Sequence, residues 1–182
     1  MNVLCIGPGI SAIEHQDFAQ FNNFDYKIGC RELLCDPAWA PLDYIVTYRT
    51  IETRWVLNTY PELSHKIITP LIDQQFVRAF NLCPLSSEIE YITNDNLYSI
   101  QARTAIHLKA THITTIGWDI LEGSIKTIED TRFREDHPIQ THVVNRRVVN
   151  ERIKKLTGTL NTIKHNNSHI RFEHRTSVLS TA

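Results

Sequence analysis

The chain opens with an apolar run, Val3-Leu4-Cys5-Ile6, that ends in Gly7-Pro8-Gly9-Ile10-Ser11. A buried strand that breaks into a glycine turn and then a helix suits a phosphorylated ligand. Glycines let the backbone approach the ligand, and the first helical amides favour negative charge. Gly7, Pro8, Gly9 and Ser11 are therefore candidate ligand-binding positions. The spacing is not the full GxGxxG, and the Lys-Ser/Thr of a P-loop is missing, so the turn serves equally as a tight bend. Three arginines can join it: Arg31, Arg49 and Arg103. A guanidinium fork matches phosphate oxygens, and each of the three also fits ordinary ion pairing. Gly117-Trp118-Asp119 supplies a further glycine and a carboxylate, which would hydrogen-bond a sugar hydroxyl or cap the next turn. His142, with His137 as second choice, is a candidate general base, because imidazole titrates near neutral pH. A loop histidine in solvent is the plainer alternative for each.

The elements that must carry these residues alternate between strand and helix. Strands are expected at 3–6, 26–30, 44–48, 66–69, 112–116 and 169–173. Ser11 and Glu14 have the spacing of a capping box, so a helix is expected from there to about Phe21. Further helices are expected over 50–60, 73–80, 96–110 and 143–160. The stretch 123–141 has no clear period, is rich in charge and is long for a connector, which suggests a lid. Six strands alternating with helices predict an α/β, Rossmann-like, mostly parallel six-stranded sheet with helices on both faces. In such sheets ligands bind at the carboxyl ends of the strands. The Gly7–Ser11 turn, Arg31, Arg49 and Gly117–Asp119 all fall there; Arg103 lies near the start of the helix before strand five.

Composition narrows the class. At 182 residues the chain is expected to be one domain over 1–182, which the Gly7–Ser11 turn and the arginines would make a nucleotide-binding one. A formal net charge of -1 gives no overall drive toward nucleic acid or membranes. No apolar run approaches the ~20 residues of a membrane span, and no basic region precedes the first apolar segment as in a signal peptide. Cys5, Cys30, Cys35 and Cys83 form no CxxC pair, so a structural zinc site is not expected, and a reducing, cytoplasmic location is. The nine histidines contain no HExxH pair, so no metal site is expected. The segment from Arg132 to Lys155 is modestly basic. It is either a solvated face or a surface for an anionic acceptor such as DNA or a phosphorylated glycan.

The order of these motifs resembles the bacterial sialyltransferases of glycosyltransferase family 42 and related Rossmann-like proteins. Gly7-x-Gly9-x-Ser11 matches their opening turn. Cys30-Arg31 and Tyr48-Arg49 stand where strands two and three end, and Gly117-Trp118-Asp119 matches a strand ending in Gly-x-Asp. A lid, a histidine opening a helix and a last strand follow, as His142 and 169–173 do here. The resemblance covers most of the chain through short motifs. It implies a metal-independent inverting glycosyltransferase that takes its sugar from a nucleotide-sugar donor, with no further cofactor. It also implies that His142 deprotonates an acceptor hydroxyl. The chain departs from the pattern in having arginines where that family has asparagines, and no tyrosines after Gly-x-Asp. The arginines suggest a nucleoside diphosphate sugar. The missing tyrosines keep open a nucleotide-binding protein without turnover, and the basic segment keeps open a transferase acting on modified bases in DNA.

Overall fold

The first strand, β1 (Asn2–Ile6), is apolar at every position but its first. That pattern marks a central strand covered on both faces. Val3 and Cys5 enter one core, and Leu4 and Ile6 enter another. The computed structural model describes residues 1–39, 41–70, 74–92, 95–124, 127–128 and 146–177. Within them β1 is joined by β2 (Tyr26–Cys30), β3 (Tyr44–Val46), β4 (Ile67–Ile68), β5 (His112–Ile116) and β6 (Arg171–His174). The strands form one sheet in the order β4-β3-β2-β1-β5-β6. Every pairing is parallel. The fold is thus α/β and Rossmann-like, and its sheet is wholly parallel.

The strand order reverses between β1 and β5. The chain steps outward from β1 to β4, returns across the sheet, and continues through β5 to β6. At such a switch point the connections leave in opposite directions, and a crevice opens beyond the strand ends. The Gly7–Ser11 turn and the Gly117–Asp119 turn stand side by side at these strand ends.

Helices cover both faces. Helix α1 (Ser11–Glu14) and α2 (Gln16–Phe21) lie on the side of Leu4, Ile6, Ala12, Ala19 and Ile116. Helix α3 (Thr50–Thr59) and α4 (Gln74–Ala79) build a smaller cluster at the β4 edge from Val56, Ile67, Val77 and Leu82. After the single turn α5 (Leu85–Glu88), α6 (Leu97–His107) and α7 (Arg146–Asn166) cover the other face with Ile100, Ala105, Leu156 and Leu160.

The expected helix over 11–21 is two short helices that meet at His15. Ser11 does not cap it, because its hydroxyl accepts the Gly117 amide at 3.0 Å instead. The true side-chain cap is on α6, where Asn96 Oδ1 accepts the amides of Tyr98 and Ser99 at 3.0 and 3.1 Å. Helix α7 runs six residues beyond the expected end at Leu160, because Ile163 continues its buried stripe. No described helix is long and apolar enough to cross a membrane.

Candidate functional site

The two turns at the switch point are joined to each other. Gly7 N donates to Ile116 O at 2.9 Å, and Gly9 N donates to Gly117 O at 2.8 Å. Ser11 N donates to Asp119 Oδ2 at 2.8 Å, and Ala12 N donates to Gly9 O at 3.0 Å. The amides of Gly7, Gly9, Ser11 and Ala12, expected to face a phosphate, are therefore engaged within the protein. The carboxylate of Asp119 takes the place an anion would have at the start of α1.

Close approach explains the glycines. A Cβ on Gly7 would sit 2.5 Å from Gly117 O, and one on Gly9 would sit 2.6 Å from the same oxygen and 2.7 Å from the Asp119 carboxylate. Gly117 has φ +72°, and a Cβ there would meet Gly7 O at 2.2 Å. Any side chain would drive the turns apart. Thr127 and Ile128 then pass over the first turn. Ile128 N donates to Pro8 O at 2.8 Å, and the Ile128 side chain is buried with Leu4 and Ile6.

Asp119 is 4% exposed. Its Oδ2 is held by Ser11, while Oδ1 is buried and has no hydrogen-bond partner among the described residues. A buried carboxylate oxygen left unsatisfied costs free energy, so such an atom marks a position where a ligand donor would be stabilising.

Each of the three arginines is paired with a carboxylate of the protein. Arg31 is buried and gives its Nη2 to Glu32 Oε1 at 3.0 Å, with its guanidinium 5.8 Å from the Trp55 ring centre. Arg103 binds both oxygens of the buried Asp95 at 2.9 Å through Nε. Arg49 remains half exposed at the end of β3, with Nε 3.3 Å from Glu52 Oε1. Glu52 Oε2 also accepts the Tyr48 amide at 3.0 Å, which fixes the entry of α3. Tyr48 is exposed beside Arg49. Arg49 is therefore the sequence-predicted arginine best presented to a ligand. His137 and His142 lie outside the described residues, as does most of the 123–141 lid.

Two polar clusters near the crevice carried no motif. The first is Gln101 of α6, which is fully buried. Its Nε2 donates to Ile6 O at 2.9 Å and Gly29 O at 3.2 Å, and its Oε1 accepts Trp118 Nε1 at 3.1 Å. One side chain thus ties the ends of β1 and β2 to the β5 turn. The available signal was its place on the apolar face, four residues from both Leu97 and Ala105. The second is His174 at the end of β6, 2.7 Å from Thr115 Oγ1 through Nδ1 and 2.8 Å from Lys164 Nζ through Nε2. An ammonium has no acceptor, so Lys164 donates to Nε2 and the neutral ring donates from Nδ1 to Thr115. Burial first, and Lys164 second, push the His174 pKa down to about 4. Burial also lowers that of Lys164.

Cys30 is buried against Glu32, and burial followed by that carboxylate raises its thiol well above the usual range, so it is not a poised nucleophile. Among the described residues no three His, Cys, Asp or Glu side chains converge as a metal site. No family model, no curated protein and no solved structure matches this chain.

Proposed function

We propose that the protein binds a nucleotide sugar across the carboxyl ends of β1, β3 and β5 and transfers the sugar to an acceptor hydroxyl. The observation that carries this reading is Asp119 Oδ1, buried at the switch point without a partner among the described residues. It is a hydroxyl acceptor in the place where the fold puts its ligands. The ordered motifs from Gly7 to the 169–173 strand support the same reading.

In this reading the work is divided differently from the sequence expectation. The Gly7, Gly9 and Ser11 amides are engaged, so phosphate charge falls chiefly to side chains, with Arg49 foremost. Tyr48 offers a flat face beside it. Asp119 Oδ1 accepts a ribose or sugar hydroxyl. His142, with His137 as the alternative, removes the acceptor proton. The acceptor oxygen then attacks the anomeric carbon from the face opposite the nucleotide. The bond to the phosphate oxygen breaks, the nucleotide leaves with the electron pair, and configuration inverts. Arg49 neutralises charge on the departing phosphate, so no metal is required. A reducing, cytoplasmic location belongs to the same reading.

The test is a thermal-shift panel of nucleoside mono- and diphosphates and their sugars, followed by donor hydrolysis and transfer assays. A ligand at 100 times its Kd adds about 2.7 kcal/mol to stability. The expected result is stabilisation by one donor class, lost in Asp119→Asn and Arg49→Ala, with turnover abolished in His142→Ala. No response to any donor overturns the reading. One observation favours a second reading, binding without turnover. Of the three sequence-predicted arginines, Arg31 and Arg103 are already paired with Glu32 and Asp95, so Arg49 alone of the three is left to meet a departing phosphate. Tight binding with no transfer, unchanged in His142→Ala, would select it.

A further inference from the structure

Helix α7 is amphipathic in an uneven way. Val149, Leu156, Leu160 and Ile163 are buried. Its exposed positions divide by charge along its length. The first half presents Arg146, Arg147, Arg152, Lys154 and Lys155 to solvent, with Glu151 as the sole acid. The exposed positions of the second half, Thr157, Gly158, Asn161 and Thr162 among them, are neutral until His165. The chain as a whole has a formal net charge of -1, so this concentration of cations is local.

The basic half lies at the crevice end of the sheet. Arg146 Nη1 donates to Gly123 O at 3.2 Å, just beyond the Asp119–Glu122 turn that follows β5. The neutral half runs toward the other end, where Arg171 N at the start of β6 donates to Thr111 O at 3.0 Å. Arg147 is 3.7 Å from Glu151, an exposed pair of little strength. The positions Arg147, Glu151, Lys154 and Lys155 share one side of the helix at 100° per residue, and Arg152 flanks it.

We infer that the first half of α7 is a docking surface for a nucleic-acid backbone, whose phosphates meet this row of cations beside the crevice. Charge complementarity selects the partner. A row of guanidinium and ammonium groups along about 15 Å of helix matches about four phosphates of one duplex strand, counted along its axis. A lipid surface fits poorly, because the apolar stripe of α7 is turned into the core and Val148 is the large exposed hydrophobic side chain on this helix. The surface needs no nucleotide sugar to operate, so its success or failure is separate from that of the proposed transferase.

The test is fluorescence anisotropy of the full chain with labelled 20-nucleotide single-stranded and duplex DNA and RNA probes, without nucleotide, from 50 to 300 mM salt. The expected result is binding to at least one probe that weakens with salt, with log K falling by roughly 0.9 per phosphate contacted for each tenfold rise in salt on duplex DNA and roughly 0.7 on a single strand. A triple variant, Arg152→Ala, Lys154→Ala and Lys155→Ala, should weaken binding at least about tenfold at 50 mM salt and flatten the salt slope. The variant Arg54→Ala with Arg78→Ala, which removes exposed cations from α3 and α4, should bind as the parent does. A far-ultraviolet dichroism spectrum checks that the triple variant folds. Any one of three results overturns the inference: no binding to any probe at 50 mM salt, equal loss in both variants, or capture by vesicles of 30% anionic lipid with no binding to the probes.

Discussion

Ser11 and Asp119 hold the two turns of the switch point together in both directions. The Ser11 amide donates to Asp119 Oδ2 at 2.8 Å, while the Ser11 hydroxyl accepts the amide of Gly117, two residues before Asp119, at 3.0 Å. The carboxylate therefore serves structure with one oxygen and leaves the other buried without a partner among the described residues. Asp119→Ala should orphan the Ser11 amide and destabilise the protein by about 1–3 kcal/mol. Asp119→Asn retains an acceptor for Ser11 and should cost less. Both should lose the stabilisation given by the bound ligand. Urea unfolding with and without the best ligand from the nucleotide panel separates the two roles. An Asp119→Ala variant as stable as the parent would show that the carboxylate is not a structural tie.

Gly9 and Gly158 make opposite predictions for the same substitution. At Gly9 an added methyl meets Gly117 O and the Asp119 carboxylate within 2.7 Å, and the first of these is backbone. Gly9→Ala should cost about 1–3 kcal/mol through overpacking. At Gly158, on the exposed face of α7, nothing lies within 4 Å of the added atom. Gly158→Ala should stabilise by about 0.5–1 kcal/mol, since glycine is a poor residue for a helix interior. Thermal melts of the two single variants give the comparison, and a shared sign would contradict it.

The sheet was legible because β1 to β5 are largely short apolar or β-branched runs bounded by turn residues, whereas the edge strand β6 is Arg-Phe-Glu-His. The expected 26–30 and 112–116 match β2 and β5 residue for residue. The order of the strands was legible only as a class, since periodicity does not say which strands are neighbours. Within the site, the positions of Gly7, Gly9, Gly117 and Asp119 were readable, but the direction of their hydrogen bonds was not. A glycine turn that cradles phosphate and one that packs against another turn have the same sequence. What separates them is a contact spanning 108 residues, from Ser11 to Asp119. Arg103 was equally ambiguous, because its partner Asp95 lies eight residues away, outside the helix register that local reasoning tests. His174 and Lys164 were missed because a lone histidine ending an edge strand carries no motif.

Gln101 should be among the costliest polar residues to replace. Gln101→Leu keeps the volume roughly constant but leaves Ile6 O, Gly29 O and the Trp118 indole N–H without this partner. Each buried group left unsatisfied costs about 1–3 kcal/mol, so a loss of at least about 3 kcal/mol is expected. Indole fluorescence should change with it, because Trp118 would lose its tie. Denaturant unfolding followed by that signal is the measurement. A loss below about 1 kcal/mol would mean that water or a neighbour takes over all three groups.

The pH dependence of stability should report His174. In the fold its pKa lies at about 4, against 6.5 for an unperturbed histidine, chiefly because burial disfavours the charged ring and secondarily because Lys164 sits against Nε2. Between those values the unfolded chain binds a proton that the folded ring refuses. Stability then falls as the solution is acidified. The contribution from His174 is complete above about pH 6.5 and declines as pH drops toward 4. The other groups packed on the ring do not reverse this. Thr115 accepts from Nδ1, and Trp118 and Phe172 stack beside it at 5.7 and 6.5 Å. Lys164→Met removes the cation but not the burial, so the His174 pKa should rise while remaining below 6.5, and the acid-sensitive window should narrow. The measurement is an NMR titration of the His174 ring protons in the parent and in Lys164→Met, alongside urea unfolding at pH 7.5, 6 and 5. A His174 resonance that titrates near 6.5 in the folded parent would show that the ring is solvated and that this relay does not form.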